Sequence, residues 1–176
     1  MATKQSQSQS QADLQDDDDD ASTDAIELLE QDHEEVKDLF DQYDELAANE
    51  GSEADKQAIA LEICTMLTVH ATIEEELFYP AARDALTEED LVDEAVVEHA
   101  SAKDLIAQIE GMEPSDDLYD AKVKVLGELI DHHVEEEEGE MFPKVRNAGL
   151  DLQVLGMAMA SLKEELLGEA ASSSSA

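Results

Sequence analysis

Residues 70–80 read His-Ala-Thr-Ile-Glu-Glu-Glu-Leu-Phe-Tyr-Pro, and residues 133–143 read His-Val-Glu-Glu-Glu-Glu-Gly-Glu-Met-Phe-Pro. In each stretch a histidine precedes glutamates by four and five residues and a proline by ten. Positions four apart share one face of a helix. Each stretch therefore presents an imidazole and a carboxylate side by side, His70 with Glu74 and His133 with Glu137. Upstream of each lies another histidine with matching neighbours. His33 leads to Lys37, Asp38, Leu39 and Phe40, and His99 leads to Lys103, Asp104, Leu105 and Ile106. Around these residues the two halves of the domain align without gaps.

Apolar residues around the histidines recur at helical spacing. Ile26, Leu29, His33, Val36, Phe40, Tyr43 and Ala47 form one stripe, and Val92, Ala95, His99, Ala102, Ile106 and Ile109 form another. Ile63, Met66, His70 and Leu77 belong to a third, and Tyr119, Val123, Leu126, Ile130, His133 and Glu137 to a fourth. Intervals of three and four mark the face that a bundle helix turns to its core. Each helix thus points one imidazole inward. The spacing predicts helices over about 24–48, 53–83, 87–110 and 116–146, with a capping box formed by Asp24 and Glu27, Glu88 and Glu89 in the first turn of the third helix, and Pro80 ending or kinking the second. An apolar fifth helix is expected over 150–167, packed on the outside.

Short connections between long helices imply antiparallel neighbours. The expected architecture is all-α: an up-down-up-down four-helix bundle with an additional C-terminal helix. Residues 1–22, rich in Gln, Ser and Asp, read as a disordered acidic tail. The folded domain is placed at 23–168 and a Ser-rich tail at 169–176.

A lone histidine on an apolar stripe is commonly a hydrogen-bonded core residue. Four inward histidines and two inward glutamates in one bundle are a different matter, because the two carboxylates bury charge that nothing apolar can offset. A bound dication removes that cost, and imidazole mixed with carboxylate suits non-haem iron or similar metals. The candidate metal ligands are His33, His70, Glu74, His99, His133 and Glu137.

The pattern of a histidine, then His-x3-Glu, then both again resembles the hemerythrin HHE cation-binding family. The segments DHEEVKDLF, HATIEEELFYP, EHASAKDLI and HHVEEEEGEMFP carry the resemblance, over residues 24–146. It implies two iron ions as cofactor, with Glu74 and Glu137 bridging them and the histidines capping them. It implies dioxygen, another small diatomic molecule or peroxide as the ligand. Oxygen carriers of the family place a further histidine where this chain has Lys103, which sets oxygen carriage apart from other oxygen or peroxide chemistry.

Three functions follow. One is a non-catalytic di-iron protein that binds oxygen or senses iron and oxygen. The second is a di-iron enzyme that decomposes peroxide, handles nitric oxide or repairs iron centres. The third is an acidic helical interaction module with a vestigial site. Repair proteins of the family often carry a cysteine-bearing N-terminal segment and sensors a fused output module. Here the N-terminal segment is Asp-rich, and the first reading is preferred over the second with no catalytic residue assigned.

Against 47 acidic residues stand 10 lysines and arginines, a formal charge of -37. Such a surface repels nucleic-acid phosphates and anionic lipid, so neither is expected as a partner; protein partners are left open. Self-repulsion is relieved by salt, which reads either as adaptation to a saline (halophilic) cytoplasm or as simple solubility. A cytoplasmic location is expected from the polar N-terminus and the single cysteine, Cys64, which reads as a core residue. His132 should face away from the site. Lys37 and Lys103 read as ordinary surface pairs or as partners of bridging carboxylates. The remaining glutamates of 74–76 and 135–138 read mostly as solvated face; Tyr43 and Tyr79 could approach the metal, although packing accounts for both, and Met157 and Met159 read as adaptable packing.

Overall fold

The computed structural model describes residues 24–87 and 90–173. Helix α1 spans Ala25–Ala48 and α2 spans Glu53–Ile73. A five-residue π-helical turn, Glu74–Phe78, leads into α3, Tyr79–Ala85. Helix α4 spans Asp90–Glu110 and α5 spans Tyr119–Glu136, followed by a second π turn, Glu137–Met141, and α6, Phe142–Asn147. Helix α7 covers Leu152–Ser173. Among the described residues there is no strand.

Helix α1 starts where the sequence places it. The Asp24 carboxylate accepts from the backbone N–H groups of Ile26 and Glu27, and Glu27 accepts from the Asp24 N–H, so the capping box is complete. The turn to α2 uses Glu50 at φ 52. Beside it is Gly51, where an added Cβ would lie 2.8 Å from Leu46 Cδ2 and 3.0 Å from its carbonyl oxygen. Helix α5 begins at Tyr119 and not at Asp116, because residues 116–118 form a turn in which the Tyr119 N–H donates to the Asp116 carbonyl. Glu88 and Glu89, expected in the first turn of α4, lie outside the described residues, as do residues 1–23 and 174–176. Helix α7 runs to Ser173, past the expected end at Leu167.

Helices α1, α2, α4 and α5 pack as cyclic neighbours, and α7 lies against α1 and α2. Two apolar plugs fill the bundle. One contains Ile26, Leu29, Ile73, Phe78, Val92, Ala95, Phe142 and Val145. The other contains Val36, Tyr43, Ile63, Leu67, Ile106, Tyr119, Val123 and Leu126. Helices α1 and α4 run from the first plug to the second, whereas α2 and α5 run back, which is the up-down-up-down order. Between the plugs each helix contributes one histidine, so the four imidazoles form a polar layer across the bundle. Cys64 is buried in the second plug, and burial pushes its thiol up to about 12.

Proline does not end the second helix. Its ring cannot donate and would collide with the carbonyl four residues back. The chain widens by one residue instead: the Tyr79 N–H donates to Glu74 and the Phe142 N–H to Glu137, both five residues back. Each π turn begins at a glutamate of the His-x3-Glu pair, and such turns are frequent at functional sites.

Candidate metal centre

All six residues singled out by spacing converge on the polar layer, and all are buried. The four Nε2 atoms turn inward. His33 and His70 approach at 3.2 Å between Nε2 atoms, and His99 and His133 likewise at 3.2 Å. Glu74 reaches both halves, with Oε2 3.2 Å from His70 Nε2 and 3.3 Å from His99 Nε2. Glu137 does the same, with Oε2 3.4 Å from both His33 Nε2 and His133 Nε2. Two donor groups result: His33, His70, Glu74 and Glu137 in one, and Glu74, His99 and His133 in the other, each with its ligand atoms within 4.8 Å of one another.

The outer ring nitrogens are equally ordered. His33 Nδ1 lies 2.8 Å from Glu138, His99 Nδ1 3.0 Å from Glu75, His70 Nδ1 3.2 Å from Asp32 and His133 Nδ1 2.8 Å from Glu98. A carboxylate at Nδ1 keeps the proton there and leaves Nε2 free for a cation. The four carboxylates obey the repeat. Asp32 and Glu98 each precede the first histidine of a half, and Glu75 and Glu138 each follow the inward glutamate. Sequence reasoning missed this ring and assigned Glu75 and Glu138 to the solvated face, although the shared Asp/Glu-His and Glu-Glu pairs were its visible signal. Lys103 is no ordinary surface pair, because its amine binds Glu75 at 2.6 Å and so backs the carboxylate that holds His99. Lys37 lines the groove beside His33 and Glu138. His132 is exposed as expected, within 3.5–3.7 Å of Glu136 and Glu98. Met159 is buried and Met157 is exposed, so only the former packs.

Tyr79 does more than pack. Its hydroxyl donates to Glu137 Oε1 at 2.9 Å and lies 3.2 Å from His99 Nε2, inside the donor cluster. The repeat puts Phe142 in the same place in the other half, stacked on His33 at 5.9 Å. Tyr43, by contrast, donates to Asp120 at 2.6 Å in the second plug, away from the histidines.

The cluster holds more acceptors than donors. Glu74 Oε1 and Glu137 Oε2 are buried without a hydrogen-bond partner, a costly state for carboxylates. Without a cation, protons on His70 and His99 take its place. Burial opposes charge on His70, yet the adjoining Glu74 carboxylate and Asp32 outweigh it and hold the ring up to about 10. His99 is raised by Glu74 and Glu75 against the same burial. Glu74, despite burial, sits well below the carboxylate range because His70 and His99 face it. Facing imidazoles, facing carboxylates and orphaned oxygens fit a bound divalent cation better than protons alone.

A cavity of about 30 Å³ adjoins the layer on the side of the second plug. The four histidines form one wall, and Val36, Leu67, Ala102, Ile106 and Ile130 form much of the rest. It is apolar and has room for one or two small molecules.

Donor sets of this kind, contributed symmetrically by the two halves of a helical bundle, define cation-binding bundle proteins. Compared with known proteins, the chain belongs to the hemerythrin family, whose model, the hemerythrin HHE cation binding domain, matches residues 24–145. A solved relative is a hemerythrin HHE cation-binding domain-containing protein from Mycobacterium kansasii. It is 29% identical, with a TM-score of 0.71 over 84% of this chain and 89% of that one. A protein from Nostoc sp. named DNA nickase is 31% identical over 121 residues, which is 69% of this chain. Those residues span only 33% of the Nostoc protein. Among the described residues no helix is long and apolar enough to cross a membrane.

Proposed function

We propose that this chain is a non-haem di-iron protein of hemerythrin type that binds dioxygen or a related small molecule. The observation that carries the reading is the pairing of donors. Each half supplies two inward Nε2 atoms, and Glu74 and Glu137 each lie within 3.4 Å of imidazoles from both halves. On that ground His33, His70, Glu74, His99, His133 and Glu137 would hold two ions, with Glu74 and Glu137 shared between them. Iron, when bound, supplies reversible redox chemistry toward oxygen. The rest falls to the protein. The carboxylate ring at Nδ1 orients the imidazoles, the two apolar plugs exclude bulk water, and the small apolar cavity admits a diatomic molecule.

Lys103, standing where oxygen carriers of the family have a histidine, is turned to Glu75 and adds no ligand. Four imidazoles and two carboxylates would not saturate two bound ions, which would leave room for a small ligand. The charge of -37 supports no nucleic-acid or anionic-lipid partner, and the nickase name of the Nostoc relative is not carried to this chain. A cytoplasmic site of action suits a reduced, buried Cys64.

One observation favours a second reading, that of a peroxide-decomposing enzyme. The Tyr79 hydroxyl is a proton donor already directed into the cluster. Elemental analysis with the visible spectrum before and after oxygen tests both. Two irons per chain with a spectrum that changes reversibly with oxygen support binding. Two irons with oxygen evolved from peroxide turnover support the enzyme. No metal after anaerobic loading with ferrous iron leaves the acidic interaction bundle.

A further inference from the structure

The four carboxylates that hold the Nδ1 atoms are not equivalent in their surroundings. Glu75 and Glu138 are partly exposed, at 32% and 42%, and water screens them. Asp32 is only 4% exposed. Its Oδ2 faces His70 Nδ1, and its Oδ1 is bound by the amine of Lys163. Asp32 thus joins the α7 amine to the His70 ring through its two oxygens. In the repeat Asp32 corresponds to Glu98, whose carboxylate meets exposed His132 as well as His133.

Lys163 stands on α7, outside the residues 24–145 that match the family. Helix α7 docks through Leu152, Leu155, Met159, Leu162 and Leu166, spaced three and four apart. That docking delivers the Lys163 amine to the bundle. Among the described residues the lysine at Asp32 comes from α7 and not from the four-helix repeat.

Resting on the reading of a two-metal centre, we infer that Lys163 is a positioning residue that sets the affinity of one of the two metal positions through Asp32 and His70. The amine fixes the position of the Asp32 carboxylate. Asp32 keeps the His70 proton on Nδ1 and the lone pair on Nε2. The position formed with His33 and His70 therefore depends on α7, and the one formed with His99 and His133 does not. By linkage, metal at the first position strengthens the docking of α7.

The test is anaerobic ferrous titration of the full chain against a competing chelator. Variants are Lys163→Met, Lys163→Arg, Asp32→Asn and the double variant Asp32→Asn/Lys163→Met, each checked for helicity by circular dichroism. Wild type is expected to bind in two steps. Lys163→Met should weaken one step by about 10–100-fold, the usual effect of losing such an outer partner, and leave the other unchanged. Lys163→Arg should restore it. The double variant should bind no more weakly than Asp32→Asn alone. It leaves no unpaired buried charge, so it carries the test even where Lys163→Met folds poorly. Two unchanged steps in Lys163→Met overturn the inference. So does an equal loss from Lys163→Met with and without Asp32, which would assign Lys163 to docking only. A wild type that takes no metal overturns the two-metal reading itself, and this inference with it.

Discussion

The Tyr79 hydroxyl donates to Glu137 Oε1 across 2.9 Å, joining a residue that follows the first His-x3-Glu pair to the carboxylate of the second. At the matching place in the repeat, Phe142 offers only a ring face to His33. The two halves thus agree in their ligands and differ in what stands beside them. With Lys163 on one side and Tyr79 on the other, a nearly symmetric donor set becomes two unlike positions.

Tyr79→Phe makes the halves alike at this one place and gives a direct test of the hydroxyl. Burial and the Glu74 and Glu137 carboxylates hold that hydroxyl well above its ordinary value, so in the metal-free protein it is a donor. Its removal leaves a buried carboxylate oxygen unpaired and should cost the metal-free fold about 1–3 kcal/mol, read by urea denaturation. Metal stoichiometry should not change. Peroxide turnover, if the protein has it, should fall about 10²–10⁴-fold; an unaltered turnover would remove Tyr79 as the proton donor.

Glu74→Ala or Glu137→Ala should abolish binding of at least one ion, because each carboxylate serves both halves. A ligand at 1,000 times its dissociation constant stabilises a fold by about 4 kcal/mol. Most of that should vanish, so calorimetry of the metal-loaded variants should show melting close to that of their metal-free forms. Full metal content in both would mean that the carboxylates are misassigned.

The stability of the metal-free protein should fall with rising pH. His70 is held at about 10 in the fold against an ordinary 6.5. Its contribution is therefore complete below about 6.5 and lost as the pH climbs through about 10. His99 is displaced in the same direction. In the loaded protein a metal replaces those protons, so its melting temperature should hold steady over the same window. Thermal melts of both forms across pH 6–10 should therefore diverge; parallel curves would contradict the exchange of protons for metal.

At -37, the chain repels itself strongly at low ionic strength. We expect its melting temperature to rise from low to molar KCl, with far-UV circular dichroism showing fuller helicity in salt. A melting temperature indifferent to KCl would reduce the acidity to mere solubility.

What the sequence determined by itself is what one helix can express. The 3.6-residue period puts His33, His70, His99 and His133 on apolar stripes, and the four-residue interval puts Glu74 and Glu137 beside two of them. The capping box at Asp24 and the breaks at Gly51 and Gly111 set helix ends in the same local way. Which groups meet between helices was decided by tertiary structure alone. Asp32 lies 38 positions from His70, Glu138 lies 105 from His33 and Lys163 lies 131 from Asp32. No period links such residues, since their meeting depends on helix rotation and side-chain reach across the bundle. The π turns lie between these two cases. Pro80 and Pro143 were plain in the sequence as breaks. In the structure the chain continues past each proline, with Phe78 and Ala82 in one half and Met141 and Val145 in the other buried in the same apolar plug, and the widened turn sets Tyr79 beside Glu137.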